Sequence, residues 1–118
     1  MQARYERNIP ALSEEECAIL CGKRVTVIGC GGLGGHLIEL LTRAGVGYLR
    51  VVDGDVFEPS NLNRQILSEP KLLGCSKAKT AAERIHRINP EITVKCVDGF
   101  LTQENARTLI AGCDAVID

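Results

Sequence analysis

Five glycines crowd into seven positions, Gly29, Gly31, Gly32, Gly34 and Gly35, directly after the run Arg24-Val25-Thr26-Val27-Ile28. That run is β-branched and lacks polar alternation, which suits a strand buried on both faces of a parallel sheet. Beyond the glycines, Leu33, Leu37, Leu40, Leu41 and Ala44 recur at helical spacing as far as Gly45. The segment therefore reads as strand, glycine turn and helix, with the G-x-G-x-x-G spacing of Gly29-Cys30-Gly31-Gly32-Leu33-Gly34. In this reading Gly29 permits the tight turn, Gly31 lets the backbone approach a phosphate, and Gly34 lets helix and strand pack closely. The free amides of the helix start then face an anion.

The flanking sequence extends this unit into one α/β domain. Ser13-Glu14-Glu15-Glu16 is a capping box for a helix ending at Gly22. Tyr48 to Val52 is a second strand, ending at Asp53, and a polar stretch then runs from Gly54 to Cys75. Ser76 caps a helix whose apolar stripe is Ala78, Ala81, Ala82, Ile85 and Ile88, closed by Asn89-Pro90. Ile92 to Val97 is a third strand, Thr102 caps a helix carrying Ala106, Leu109 and Ile110, and Ala115-Val116-Ile117 is a fourth strand. The order predicts a Rossmann-like parallel sheet with flanking helices and right-handed crossovers. Residues 1–118 form a single nucleotide-binding domain, expected to be the N-terminal part of a longer one, because Asp118 falls at the strand end where open α/β sheets bind ligands.

Composition excludes several classes. With 14 Lys+Arg against 15 Asp+Glu, no overall basic field recruits nucleic acid or a membrane surface. No apolar run approaches the ~20 residues of a membrane span, and the charged N-terminus has no signal-peptide centre. A cytoplasmic location is the expectation. The six cysteines include no C-x-x-C pair, so they read mostly as small core hydrophobes rather than zinc ligands. Neither His36 nor His86 has a partner at metal spacing; His36 reads as loop–helix packing and His86 as surface. No metal-ligating residue is assigned.

Asp53 follows Gly34 by 19 residues, the place of a ribose-binding carboxylate. Up to this point the pattern fits NAD as well as ATP. Downstream, Ser60-Asn61-Leu62-Asn63-Arg64-Gln65 and Lys77 supply a planar guanidinium fork and a point charge suited to phosphate oxygens. A triphosphate needs such cations, whereas hydride transfer gives them no job.

Taken together, Arg4-Tyr5-Glu6-Arg7, the glycine loop, Ala44-Gly45-Val46-Gly47, Val52-Asp53-Gly54-Asp55, Ser60 to Gln65, Lys77 and Arg87-Ile88-Asn89-Pro90 resemble the adenylation domain of the ThiF/MoeB/HesA family, bacterial relatives of ubiquitin-activating enzymes. The resemblance implies ATP and Mg²⁺ as cofactors, and the C-terminal glycine carboxylate of a ubiquitin-like sulfur-carrier protein as substrate. It implies an acyl-adenylate and pyrophosphate as products, with thiamine or molybdopterin synthesis as the setting. Carried onto this chain, Gly29, Gly31, Gly32, Gly34, Asp53, Asp55, Asn61, Arg64, Gln65 and Lys77 hold the nucleotide. Arg64, Lys77 and Arg7 serve catalysis, with Arg7 reaching the partner's ATP across a homodimer. Asn61 can alternatively be a turn residue. The family's Mg²⁺ aspartate and later catalytic cysteine fall beyond Asp118. The competing expectations are an NAD-dependent oxidoreductase, a non-catalytic nucleotide-binding or assembly module, and activation of a carboxylate on modified tRNA.

Overall fold

A computed structural model describes residues 2–118. Four strands, β1 (Arg24–Ile28), β2 (Tyr48–Val52), β3 (Thr93–Val97) and β4 (Ala115–Ile117), form one sheet in the order β3-β2-β1-β4. Every pairing is parallel, with Val27 opposite Val51 on one side and Ile117 on the other. The β-branched run of β1 is central, and Val25, Thr26 and Val27 are buried as an unalternated strand should be. Because β2 and β4 flank β1 on opposite sides, the chain reverses direction across the sheet there. A crevice opens at such a switch point, at the carboxyl ends of the strands.

Helix α1 (Glu14–Cys21) precedes the sheet, and α2 (Gly32–Ala44), α3 (Lys77–Ile88) and α4 (Ala106–Ile110) connect its strands. The capping box of α1 is formed in both directions, Ser13 Oγ accepting from the Glu16 amide at 3.1 Å and the Glu16 carboxylate from the Ser13 amide at 3.0 Å. Gly45 closes α2 in the left-handed region at φ +99°. Ser76 caps α3 by accepting from the Lys79 amide. The main core joins Val25, Val27, Leu49 and Val51 of the sheet to Ile38 of α2 and to Ala78, Ala81 and Ile85 of α3. Glu39 bridges the two helices, accepting from Arg84 at 2.7 Å and pairing with Arg43 at 2.9 Å. The Arg84 hydrogen bond is the main reason its carboxyl titrates below the usual range.

The apolar positions of α2 divide: Gly35, Ile38 and Thr42 are buried and Leu41 packs against the core, while Leu33 is 72% and Leu40 65% exposed. The glycines shift the buried face, since Gly35 is where α2 lies close to Ile66 and Leu67. His36 points to solvent instead of packing the loop onto the helix. Thr102 caps a turn ahead of α4, not α4 itself, through its reciprocal bonds with Asn105. Of the six cysteines, Cys17 and Cys30 are buried, but Cys21 and Cys75 are exposed.

The N-terminal 3₁₀ segment Ala3–Asn8 packs against the far ends of α2 and α3. Asn89 donates to the Tyr5 hydroxyl at 2.8 Å, Asn8 donates to the Ala44 carbonyl, and the Tyr5 ring fills the space that a side chain at Gly45 would need. No helix of the described residues is long and apolar enough to cross a membrane.

Candidate nucleotide site

The crevice at the switch point is built by the glycine loop. Gly29 adopts φ +98° and its amide donates to the Val52 carbonyl at 2.7 Å, turning the chain off β1. A methyl group at Gly34 would lie 1.9 Å from the Gly29 carbonyl oxygen, so the helix start sits directly on the turn. A methyl at Gly32 would meet nothing within 4 Å. The open face of the loop is therefore at Gly32, where the unpaired amides of the first turn of α2 point outward. Gly31 has a different neighbour: the space its side chain would take is filled by the Gln65 carboxamide at 3.3 Å.

Gln65 is 7% exposed, and its Oε1 is buried without a hydrogen-bond partner among the described residues. It rides on the turn at Pro59–Asn61, in which Asn61 Oδ1 accepts from the Glu58 amide at 2.8 Å. Asn61 thus has a turn-forming job, and it is buried. Arg64 is exposed, and its guanidinium donates back to the Ser60 carbonyl at 2.8 Å and to Asn63 at 3.1 Å.

Asp53 stands at the end of β2, and both of its carboxylate oxygens accept backbone amides: Oδ2 from Cys30 and Oδ1 from Asp55, each at 2.8 Å. The acid therefore ties the glycine loop to the following turn, and its remaining lone pairs face the crevice that Asp53, Asp55, Gly99, Phe100 and Asp118 line. Phe100 is 59% exposed on that wall, held close to Gly54, where a methyl would come within 2.4 Å of its ring. Sequence reasoning missed Phe100; the signal available was a glycine in the Asp53-Gly54-Asp55 turn with no φ requirement of its own.

Lys77 opens α3 and is 7% exposed. None of the ion pairs among the described residues includes it. A clasp sets its place: the Lys77 amide donates to the Asp55 carbonyl, Val56 pairs with Ser76, and the Phe57 amide donates to the Cys75 carbonyl. Phe57, also unremarked in the sequence, lies under the ammonium. The ammonium therefore keeps its donors for an anionic ligand.

Cys30, wholly buried inside the loop, has its thiol pushed up to about 12 by burial first and the Asp53 charge second. Its thiol stays neutral and unreactive at pH 7. Because the folded state holds this proton more tightly than the unfolded chain, stability should fall as pH rises from about 9 toward about 12, by up to ~1.4 kcal/mol per pH unit. Urea unfolding at pH 8 and 10 checks this. Cys30→Ala should flatten the alkaline loss relative to wild type, and equal losses in both proteins would contradict it.

Arg7 is not in this crevice. Its segment caps the carboxyl end of α2, whereas the glycine loop is at the amino end, a helix length of about 20 Å away. Asp53, Asp55 and Asp118 approach one cavity, yet no group of three metal-ligating side chains converges among the described residues. The donor set does not form a metal cage.

The switch-point crevice and the outward-facing amides of a glycine-turn helix are those of a Rossmann-like α/β domain. The family model for ThiF matches residues 5–118, and the chain belongs to the ThiF family. Over 98% of its length it is 39% identical to a SAMP-activating enzyme E1 of Haloferax volcanii and 40% identical to the adenylyltransferase and sulfurtransferase MOCS3 of Mus musculus. It spans 43% and 25% of those relatives. Among solved structures, the E. coli tRNA N6-threonylcarbamoyladenosine dehydratase TcdA in complex with ATP matches 98% of this chain at TM-score 0.92 and 35% identity, over 48% of its own length. A complex of the same enzyme with AMP matches at TM-score 0.94.

Proposed function

We propose that this chain is the nucleotide-binding half of an adenylating enzyme acting in the cytoplasm on the C-terminal glycine carboxylate of a ubiquitin-like sulfur carrier. The observation that carries the proposal is Lys77, a largely buried side chain whose ammonium makes no ion pair among the described residues and lies close enough to the glycine loop for its charge to act on Cys30. The triphosphate lies against the open face at Gly32, with Arg64 and Lys77 on its oxygens. Gly29, Gly31 and Gly34 shape the loop, Asn61 and Gln65 fix the turn bearing Arg64, and Asp53 and Asp55 accept from the ribose hydroxyls. Phe100 offers an apolar wall to the base.

In the reaction, a carboxylate oxygen forms a bond to the α-phosphorus and the bond from that phosphorus to the bridging oxygen of the β-phosphate breaks. Pyrophosphate leaves with the electron pair. A carboxylate is already ionised at pH 7, so no general base is needed. The residues contribute position and compensating charge. Magnesium would accompany the phosphates, and no step depends on a protein ligand for it. The names of the relatives support the activity class, and the ATP complex of a structural relative supports the nucleotide.

In the full-length protein, exchange of labelled pyrophosphate into ATP should require a carrier with an intact C-terminal glycine and disappear when that glycine is removed. Exchange driven by no carrier would end this reading. A second reading, activation of a carboxylate on modified tRNA, is favoured by the likeness to TcdA; tRNA-dependent and carrier-independent exchange would establish it instead.

The position of Arg7, a helix length from its own loop, supports action on a second subunit in a homodimer. Mixing an Arg7→Ala subunit with an Arg64→Ala subunit should restore up to half of the wild-type activity, because one site per heterodimer escapes both lesions. No recovery on mixing would mean that Arg7 acts within its own subunit or not at all.

A further inference from the structure

Lys77 is 7% exposed as a residue, and its Nζ makes no ion pair among the described residues. The group beneath it is the Phe57 ring, 5.8 Å from Nζ to the ring centre, and Phe57 is itself only 1% exposed. That separation is within the reach of a cation–π contact. The clasp of residues 55–57 with 75–77 locks both side chains in place: the Phe57 amide donates to the Cys75 carbonyl at 3.0 Å, and the Lys77 amide to the Asp55 carbonyl at 3.0 Å. None of the ion pairs among the described residues engages Nζ.

We propose that Phe57 is a positioning residue for Lys77, its ring face holding the ammonium in place while leaving the three N–H donors for an anionic ligand. The inference rests on the adenylation reading. A carboxylate in the place of Phe57 would hold the lysine equally well, but it would cancel the charge and occupy the donors that a phosphate needs. An aliphatic side chain would fill the space without attracting the cation. An aromatic ring alone combines attraction with unspent donors, because its negative quadrupole lies over the face and accepts no conventional hydrogen bond.

Phe57 is in the core, so truncation confounds packing with electrostatics. Replacing it with mono-, di- and trifluorophenylalanine drains the ring face progressively while nearly preserving its shape. Across this series, affinity for ATP and for inorganic tripolyphosphate should fall stepwise, by about 3- to 10-fold in total, while adenosine affinity and the urea midpoint stay constant. In a Lys77→Met background the same series should be flat. A flat series in the lysine-containing protein, or equal losses in both backgrounds, would reduce Phe57 to core packing and overturn the inference while leaving the adenylation reading intact. Wild-type protein that binds neither ATP nor tripolyphosphate, or Lys77→Met protein that binds both as wild type does, would overturn the adenylation reading and the inference with it.

Discussion

Gly34→Ala is expected to destabilise the fold by about 3 kcal/mol or more, whereas Gly32→Ala, two residues away, should leave the fold intact and remove ATP binding. The added methyl at Gly34 would stand 1.9 Å from the backbone oxygen of Gly29. That oxygen is not the end of a flexible side chain. It belongs to a turn anchored by the Gly29 amide on Val52 and by the Cys30 amide on Asp53. Relief demands that α2 lift away from β1, parting Ile38 from Val27 and Val51 in the core. Overpacking of this kind exceeds the usual cost of 1–3 kcal/mol because backbone cannot rotate aside, and it is a large part of a typical 5–15 kcal/mol stability. At Gly32 a methyl meets nothing within 4 Å, and alanine in the first turn of a helix is favoured over glycine by ~0.5–1 kcal/mol. The same methyl occupies the face proposed for the triphosphate. Urea denaturation and ATP titration of both variants separate the two roles. A Gly32→Ala protein that folds and binds ATP as wild type does would place the phosphates elsewhere.

Lys77→Met should weaken ATP binding by about 10- to 150-fold, the loss of a charged hydrogen bond worth ~1.5–3 kcal/mol, and should leave the stability of the unliganded protein nearly unchanged. In the empty protein Lys77 makes no ion pair among the described residues, so methionine, which keeps the apolar stem, changes the fold little. In the complex that charge is what the triphosphate uses. Arg64→Ala should lower ATP affinity by a similar factor with a stability change within ~0.5 kcal/mol, because Arg64 is exposed and bonded only within its own turn. Adenosine, which lacks phosphates, should bind all of these proteins alike. Loss of adenosine affinity in step with ATP would mean that the variants damage the crevice as a whole.

The fold was readable because its signals are local. The β-branched run at 24–28, the glycine turn, the Ser13 and Ser76 caps and the Gly45 stop each act through the backbone within a few residues, and β1, β2, α1, α2 and α3 begin and end where they were expected. What escaped was tertiary. The leucine spacing of α2 announces a helix but does not say which of its sides is buried. The side that is buried is set by how closely the glycines let the helix approach β1, and Ile38 with Thr42 takes the interior. Asn61, Arg64, Gln65 and Lys77 were legible as a group through the family pattern. Their separate jobs were not, because a turn bond at Asn61 and a packing contact from Gln65 to Gly31 depend on a loop whose conformation no periodicity encodes. Phe57 and Phe100 were invisible for a related reason: one apolar residue in a polar stretch carries no period, and its meaning comes only from Lys77 or Gly54 lying beside it.

Calorimetric titration of the wild-type protein with ATP and with NAD, at matched salt, tests the central claim most directly. The glycine loop and Asp53 suit either ligand, and only Arg64 and Lys77 favour a triphosphate. The account predicts that ATP binds, that its affinity falls as salt is raised, and that NAD gives no saturable heat over the same range. NAD binding as tightly as ATP, or more tightly, would contradict it.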